Sequence, residues 1–402
     1  MMSDYELAKR ARNHLWATFF LMGVVSSAWV PRIPEIKESL QMSDGRFGFV
    51  LLGSSVGAVF GAQLAGRAVH TFATKKIARV CSLIMPVGLF LMGSAVNALE
   101  LVLGLFIMGF AFSALDSPAN VQGVAIEKIM KKRYMSSFHG AWSVGAFFAS
   151  LVGGLIAHLV SPEVNLKAIA VISVVAMYFS INGLLGSELD GHKGEEHEET
   201  ESKIPLFSRA VLPLWAMGIG LLASLIPESG IYDWSGILLK EHMDIGKGIT
   251  AAAVTVYSLG MIISRILGDK AFERWGHQKT VRYGGYISGI SLGTSLLIGV
   301  PLSSTNSWAA LIIVCSGFAI TGLCMGPFFP AFNLAAMSVP GIAPSVGLAR
   351  ISVIAIAAYF AGPTVMGGLS ELTSLPIAFA FPVALLLLVG RQARYIVVKE
   401  LR

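Results

Sequence analysis

The chain has 402 residues, 54% of them hydrophobic and only 13% charged, with a mean hydropathy of +0.70. Soluble domains carry about 25% charged residues, so the composition excludes a water-soluble globular protein and points to a polytopic membrane protein in a lipid bilayer. The net charge of +6 is read as basic cytoplasmic loops, not as affinity for nucleic acid.

Apolar runs of about 20 residues, each long enough to span a bilayer as a helix, recur almost end to end. The pattern predicts helices over residues 14–32, 46–66, 77–96, 100–122, 138–160 and 167–187. Six more follow over 208–232, 249–268, 281–301, 307–335, 346–368 and 374–392. The first run follows Lys9-Arg10-Ala11-Arg12 and contains Ser26-Ser27-Ala28, an arrangement shared with signal peptides. It is taken as a retained span, because without it the helix count is odd and the two halves lose their match.

Residues 188–206 are acidic and polar, and are read as a solvated cytoplasmic tether between an N-terminal bundle (1–187) and a C-terminal bundle (207–402). His192 and His197 in this tether leave metal binding as a remote option. Cys81, Cys315 and Cys324 all lie in apolar runs, so neither a disulfide framework nor a metal cluster is expected, and no cofactor is implied.

Basic residues set the expected orientation. With the N-terminus inside, 22 of the 30 Lys and Arg residues fall in cytoplasmic segments and six in outer loops, while Arg265 and Arg350 lie within helices. That bias predicts both termini in the cytoplasm and an even number of spans.

The richest stretch is 109–145. Asp116 and Asn120 are four apart and share a helix face, and Pro118 between them deprives the Ala114 carbonyl of its donor. Then come Glu127 and a basic loop (Lys128, Lys131, Lys132, Arg133), with His139 opening the next apolar run. An ionisable residue at membrane depth is costly, so Asp116 is read as a proton carrier, with the rival reading a permanent structural ion pair. No basic residue lies near mid-depth in this half to form that pair. His139 is the neighbour able to titrate, or a helix-start histidine in the headgroup region. Asn120 and Gln122 are candidate ligands for polar cargo, or, for Asn120, a bridge between helices.

In the C-half, Glu228 follows Pro227 and precedes Gly230, in a helix able to bend; it is read as the partner acid, for protons or cargo. Asp233 and Trp234 are assigned to an outer gate. Arg32, between Pro31 and Pro34, is assigned to attract cargo or to pair with Asp233. Arg265 and Arg350 are assigned to inner-gate pairs with Asp269, Glu273 or Glu127. Trp142, Tyr257, Asn333 and Tyr359 are candidate cavity-lining residues, and Met325-Gly326-Pro327 a bend. Gly53-Ser54-Ser55-Val56-Gly57 fits a hydrolase elbow, but it lies mid-helix with Gly61 beyond, so it is read as close helix packing.

The halves echo one another. Gly66-Arg67-Ala68-Val69-His70-Thr71-Phe72-Ala73-Thr74-Lys75-Lys76 is matched half a chain later by Asp269-Lys270-Ala271-Phe272-Glu273-Arg274-Trp275-Gly276-His277-Gln278-Lys279. Same-orientation repeats of six spans imply two bundles related by an axis along the membrane normal. The loop pattern resembles the G-x-x-x-D-R-x-G-x-K-K signature of the major facilitator superfamily. The first copy has His70, Thr71 and Ala73 at the acid, arginine and second glycine; the second keeps Glu273, Arg274 and Gly276. Trp29-x-x-Arg32-Ile33-Pro34, Asp116-x-x-x-Asn120-x-Gln122, His139-Gly140-x-Trp142-Ser143, Asp233-Trp234-Ser235 and Gly362-Pro363 are similar to its YbjJ/MosC-type branch. The resemblance implies the major facilitator fold, alternating access of two six-helix bundles, and a monomer in the bacterial inner membrane. Members of the MosC type are linked to uptake of rhizopine, a sugar-like inositol amine.

The expected function is therefore secondary active transport of a small polar solute, proton-coupled through Asp116 and Glu228, and not enzymatic catalysis. Proton-driven efflux of amphipathic drugs is the alternative, since Gly362-Pro363 resembles an element of drug antiporters. That element belongs in the fifth helix, where this chain has Ala149-Ser150. A membrane sensor or scaffold without transport is the third reading.

Overall fold

Helix starts in this chain are set by short polar side chains that satisfy the first free amides. Ser3 accepts from the Glu6 amide, Ser161 from Val164 and Asn306 from Ala309. Asn97 accepts from the Glu100 amide while its own amide donates back to the Glu100 carboxylate at 2.7 Å, a reciprocal cap. The structure is a computed structural model that describes residues 3–190, 211–342 and 344–397. His192, His197 and most of the acidic tether lie outside the described residues.

Every regular element among the described residues is helical. The helices are α1 (Asp4–Ser27), α2 (Ile33–Ser39), α3 (Asp44–Thr71), α4 (Thr74–Ser94), α5 (Ala98–Met130), α6 (Met135–Leu155), α7 (Pro162–Asn182) and α8 (Leu212–Ile237). They continue as α9 (Ala252–Trp275), α10 (His277–Leu302), α11 (Ser307–Met325), α12 (Phe328–Met337), α13 (Pro344–Leu372), α14 (Leu375–Ala378) and α15 (Ala380–Gln392). Joined across short breaks, they make 12 segments long and apolar enough to cross a membrane. Several exceed their predicted length. The α5 helix runs on to Met130 and ends where Lys131 turns left-handed at φ 51°, so the basic loop before α6 is short.

The chain forms two compact units. Among the described residues, the first comprises 3–42, 49–190 and 247–251, the second 43–48, 211–246, 252–342 and 344–397. In the first, α1 packs on α6, α4 on α5 and α4 on α7; in the second, α8 packs on α13, α10 on α11 and α10 on α15. The pairing scheme of one unit is thus repeated in the other, in the same chain order.

Glycine rows let these helices close tightly. A Cβ at Gly57 or Gly61 would collide with the Phe106 or Phe110 carbonyl, and one at Gly109 with the Ser54 carbonyl. The Gly53-to-Gly57 stretch is therefore a helix-packing face, as its spacing suggested, and not a catalytic elbow. In the second unit Gly285 meets the Gly390 backbone, and Gly322 the Tyr257 carbonyl. The tenth span breaks at Gly326-Pro327 into α11 and α12, the bend expected there.

Candidate functional site

In the first unit, Asp116 lies near the middle of α5, a helix that runs unbroken through Pro118. The missing amide of Pro118 leaves the Ala114 carbonyl without its helical donor. Asn120, one turn on, donates its side-chain amide to the Asp116 backbone carbonyl at 2.9 Å. His139 lies within electrostatic reach of the Asp116 carboxylate. His139 comes from α6, whose position is fixed by Gly145 against the Phe20 carbonyl of α1 and Gly23 of α1 against the Trp142 carbonyl.

Aromatic rings wall this polar group. Phe19 stands edge-on to His139 at 5.1 Å, and Phe112, one turn before Asp116, meets the Trp142 ring at 6.4 Å. The Trp142 Nε1 is buried and meets no acceptor among the described residues. The unit therefore offers an acid, an amide, an imidazole and an unanswered indole N–H, enough to hold a proton or a polar ligand. Phe19 and Phe112 escaped the sequence reading because apolar aromatics in spans carry no signal of their own.

Gln122 is corrected. It is fully buried; its amide donates to the Thr74 hydroxyl at 2.9 Å and the Leu185 carbonyl at 3.0 Å, and its carbonyl accepts from the Leu185 amide. Two positions from Asn120, it faces a different side of α5. It braces α5 to the start of α4 and to the segment after α7, with nothing left for cargo. Arg32 is likewise occupied: it is fully buried, grips Glu35 through two nitrogens at 2.9 and 3.1 Å, and donates to the Val160 carbonyl at 2.8 Å. One of its nitrogens, Nη1, is buried with no partner among the described residues.

In the second unit, Glu228 on α8 meets Arg265 on α9 at 3.8 Å, with the two side chains about a quarter and a third exposed (26% and 33%). Arg265, expected at an inner gate, is thus brought beside Glu228 by the structure. Its position fourteen residues into α9 puts it well inside the span. Tyr232, one turn beyond Glu228, accepts from the Ser258 hydroxyl at 3.2 Å and stands edge-on to Tyr257 at 5.7 Å. Tyr257 is fully buried, and its hydroxyl points to Met325 Sδ at 3.6 Å. It is a packing residue beside the pair, not an open cavity wall. Asn333 is half-buried on α12, its Oδ1 without a partner among the described residues, while Tyr359 is 51% exposed on α13.

Asp233 is half-buried, and Trp234 is fully buried with its ring edge-on to Phe47 at 5.3 Å. In the same unit, the Ser370 hydroxyl donates to Asp44, and Glu371 accepts the Gly45 amide at 2.9 Å.

The sequence pattern of the Major Facilitator Superfamily matches residues 15–346. The chain belongs to the major facilitator superfamily. It is 26% identical over 382 residues to an MFS-type transporter of Yersinia pestis, itself uncharacterized, covering 94% of this chain and 93% of that one. It is 26% identical over 368 residues to the membrane protein MosC of Rhizobium meliloti, covering 91% and 85%. Its fold matches the crystal structure of the nucleoside transporter NupG with TM-score 0.69 at 15% identity, over 98% and 100% of the two chains. A bacterial homolog of the human lysosomal transporter Spinster matches with TM-score 0.68 at 14% identity, over 98% and 97%.

The residues expected at a gate include those of the second loop-motif copy. There Asp269, Glu273 and Arg274 are exposed near the end of α9, and Arg274 lies over the Trp275 ring at 5.7 Å. Arg350 is half-buried near the start of α13. Glu127, once a candidate gate partner, instead accepts the Met135 amide at 2.8 Å and the Tyr134 amide, capping α6.

Proposed function

We propose that this major facilitator transporter carries a small, hydroxyl-rich polar solute into the cell by alternating access, driven by protons. Asp116 is the primary proton carrier and Glu228 the second acid. The observation that carries the reading is the grouping of Asp116 with Asn120 and His139 inside an apolar span. A carboxyl held at membrane depth with no lysine or arginine partner among the described residues is costly as an ion, which suits it to load and release a proton. The neighbouring amide and indole N–H supply hydrogen bonds for hydroxyl groups. The protein works as a monomer in the bacterial inner membrane with both termini in the cytoplasm, and no catalytic step is involved.

The test is uptake into proteoliposomes of labelled inositols, sugars and sugar acids, with and without an inward proton gradient. Asp116→Asn is expected to abolish accumulation against a gradient while leaving exchange of solute across the membrane. Accumulation at the wild-type level in that variant removes Asp116 from the mechanism.

A further inference from the structure

The first unit holds a cavity of about 290 Å³ that Asp116 and its neighbours do not line. Leu7 and Arg10 of α1 form one wall, Lys75 at the start of α4 another, and the segment that ends α7 the rest. Lys75 is half-buried, and its ammonium donates to the Asn182 carbonyl at 2.6 Å and the Leu184 carbonyl at 3.1 Å. Arg79, one turn on, donates to the Asn182 side chain at 2.9 Å. These two close the C-terminal end of α7, where carbonyls lack helical donors and the helix dipole is negative.

That structural duty leaves Arg10 unexplained. It is exposed on α1 with no hydrogen-bond or ion-pair partner among the described residues, yet it and Arg79 lie within electrostatic reach of Lys75. Two cations therefore line the cavity and a third stands beside it, while no Asp or Glu is among the lining residues. Asp190, the buried acid nearby, accepts the Thr74 amide and hydroxyl at 2.9 and 2.6 Å at the start of α4. Like charges held together repel, and an anion seated between them relieves the repulsion. A water takes about 30 Å³ of liquid, so the cavity has room for a phosphate with a glycerol-sized group attached.

The surface beyond the cavity favours a lipid as the source of that phosphate. Helices α4 and α7 pack side by side, joined at this end by Arg79 and Asn182 and farther along by Lys167 over the Phe90 ring at 5.3 Å. Between those contacts Leu83 and Val87 of α4, and Val171, Val175 and Tyr178 of α7, are exposed. Their spacing from Arg79 and Asn182 puts each set on the face of its helix that carries the polar contact. The basic cavity thus heads an apolar groove open to the bilayer. The charge bias makes this the expected cytoplasmic end, where basic pockets between spans meet anionic headgroups.

We propose that the cavity seats the phosphate of an anionic phospholipid between Arg10 and Lys75, with the acyl chains along the α4–α7 groove. The proposal goes beyond the transport reading and is independent of it, because its readout is binding.

Full-length protein, stripped of lipid in a neutral detergent, is titrated with phosphatidylglycerol, with phosphatidylcholine of the same chains and with glycerol phosphate. Retained lipid is counted by native mass spectrometry, and stabilisation is read as the unfolding midpoint. Wild type should retain one phosphatidylglycerol, with a raised midpoint, at concentrations that leave phosphatidylcholine unbound, since the choline ammonium would meet the same cations. Arg10→Gln, which breaks no contact within the protein, should weaken phosphatidylglycerol by about fivefold or more. Lys9→Gln, at the neighbouring exposed cation outside the cavity, should leave binding unchanged. Equal retention of the two lipids, or full retention in Arg10→Gln, overturns the proposal. An equal loss in Lys9→Gln overturns it as well, since the attraction would then be general to the basic end. Stabilisation by glycerol phosphate as strong as by phosphatidylglycerol overturns the lipid assignment and makes the ligand a soluble phosphate ester.

Discussion

Gln122 and Asn120 are both amides on α5, and composition alone gives them the same promise. Their surroundings separate them: Asn120 shares a face with Asp116, while Gln122 saturates Thr74 and Leu185. Gln122→Leu should therefore lower stability without changing solute affinity. Hydrogen bonds between membrane helices are worth only about 0.6 kcal/mol each on average, but this change also strands a buried amide and carbonyl. A loss of about 2 kcal/mol is expected, read as a lower unfolding midpoint in detergent, with KM unchanged. A raised KM with unchanged stability would return Gln122 to the solute site. The acids Asp116 and Glu228 were legible in the sequence, because a carboxyl in an apolar run is conspicuous. Arg265 was conspicuous too, but its partner was not: Glu228 is 37 residues away, and only helix packing brings the two together.

At the scale of elements, spans and their order were legible because hydropathy alone decides which segments cross a bilayer. Bends were legible only in part. Pro86, Pro118, Pro227, Pro301 and Pro363 all sit inside continuous helices, whereas Gly326-Pro327 breaks one. A glycine before the proline does not decide it, since Gly362-Pro363 leaves α13 continuous; what sets Gly326-Pro327 apart is a second proline, Pro330, three residues on, which removes another backbone donor from the same turn. The glycine rows make a sharper prediction. Gly57→Leu puts a side chain into the Phe106 carbonyl, a backbone atom that cannot swing aside, so α3 and α5 must separate. Little folded protein is expected in fluorescence-detected gel filtration. Gly66→Ala, in the same helix with nothing within 4 Å of the new Cβ, should fold normally and gain helix propensity of up to about 1 kcal/mol. Equal yields of the two variants would mean that α3 and α5 do not pack through this row.

At the scale of the whole chain, the repeat was visible in sequence as two copies of one loop motif, and the structure repeats the helix pairings around it. The loop motif survives better than the helices because turns need particular residues, whereas a lipid-facing span needs only to be apolar. Which side each loop faces follows from a separate force, the retention of Lys and Arg in the cytoplasm during insertion. The six-span repeat and this bias constrain each other, since an even repeat returns the chain to its starting side. If the charge bias sets the orientation, Ser136, exposed in the first turn of α6, is expected in the cytoplasm, and Ser304, exposed between α10 and α11, outside. In a variant whose native cysteines at 81, 315 and 324 are replaced, Ser304→Cys should react with a membrane-impermeant maleimide on intact spheroplasts. Ser136→Cys should react only after the membrane is opened. The reverse pattern would invert the chain, exposing the basic turn after α5 to the outside against the charge bias, and would turn the proposed import direction into export.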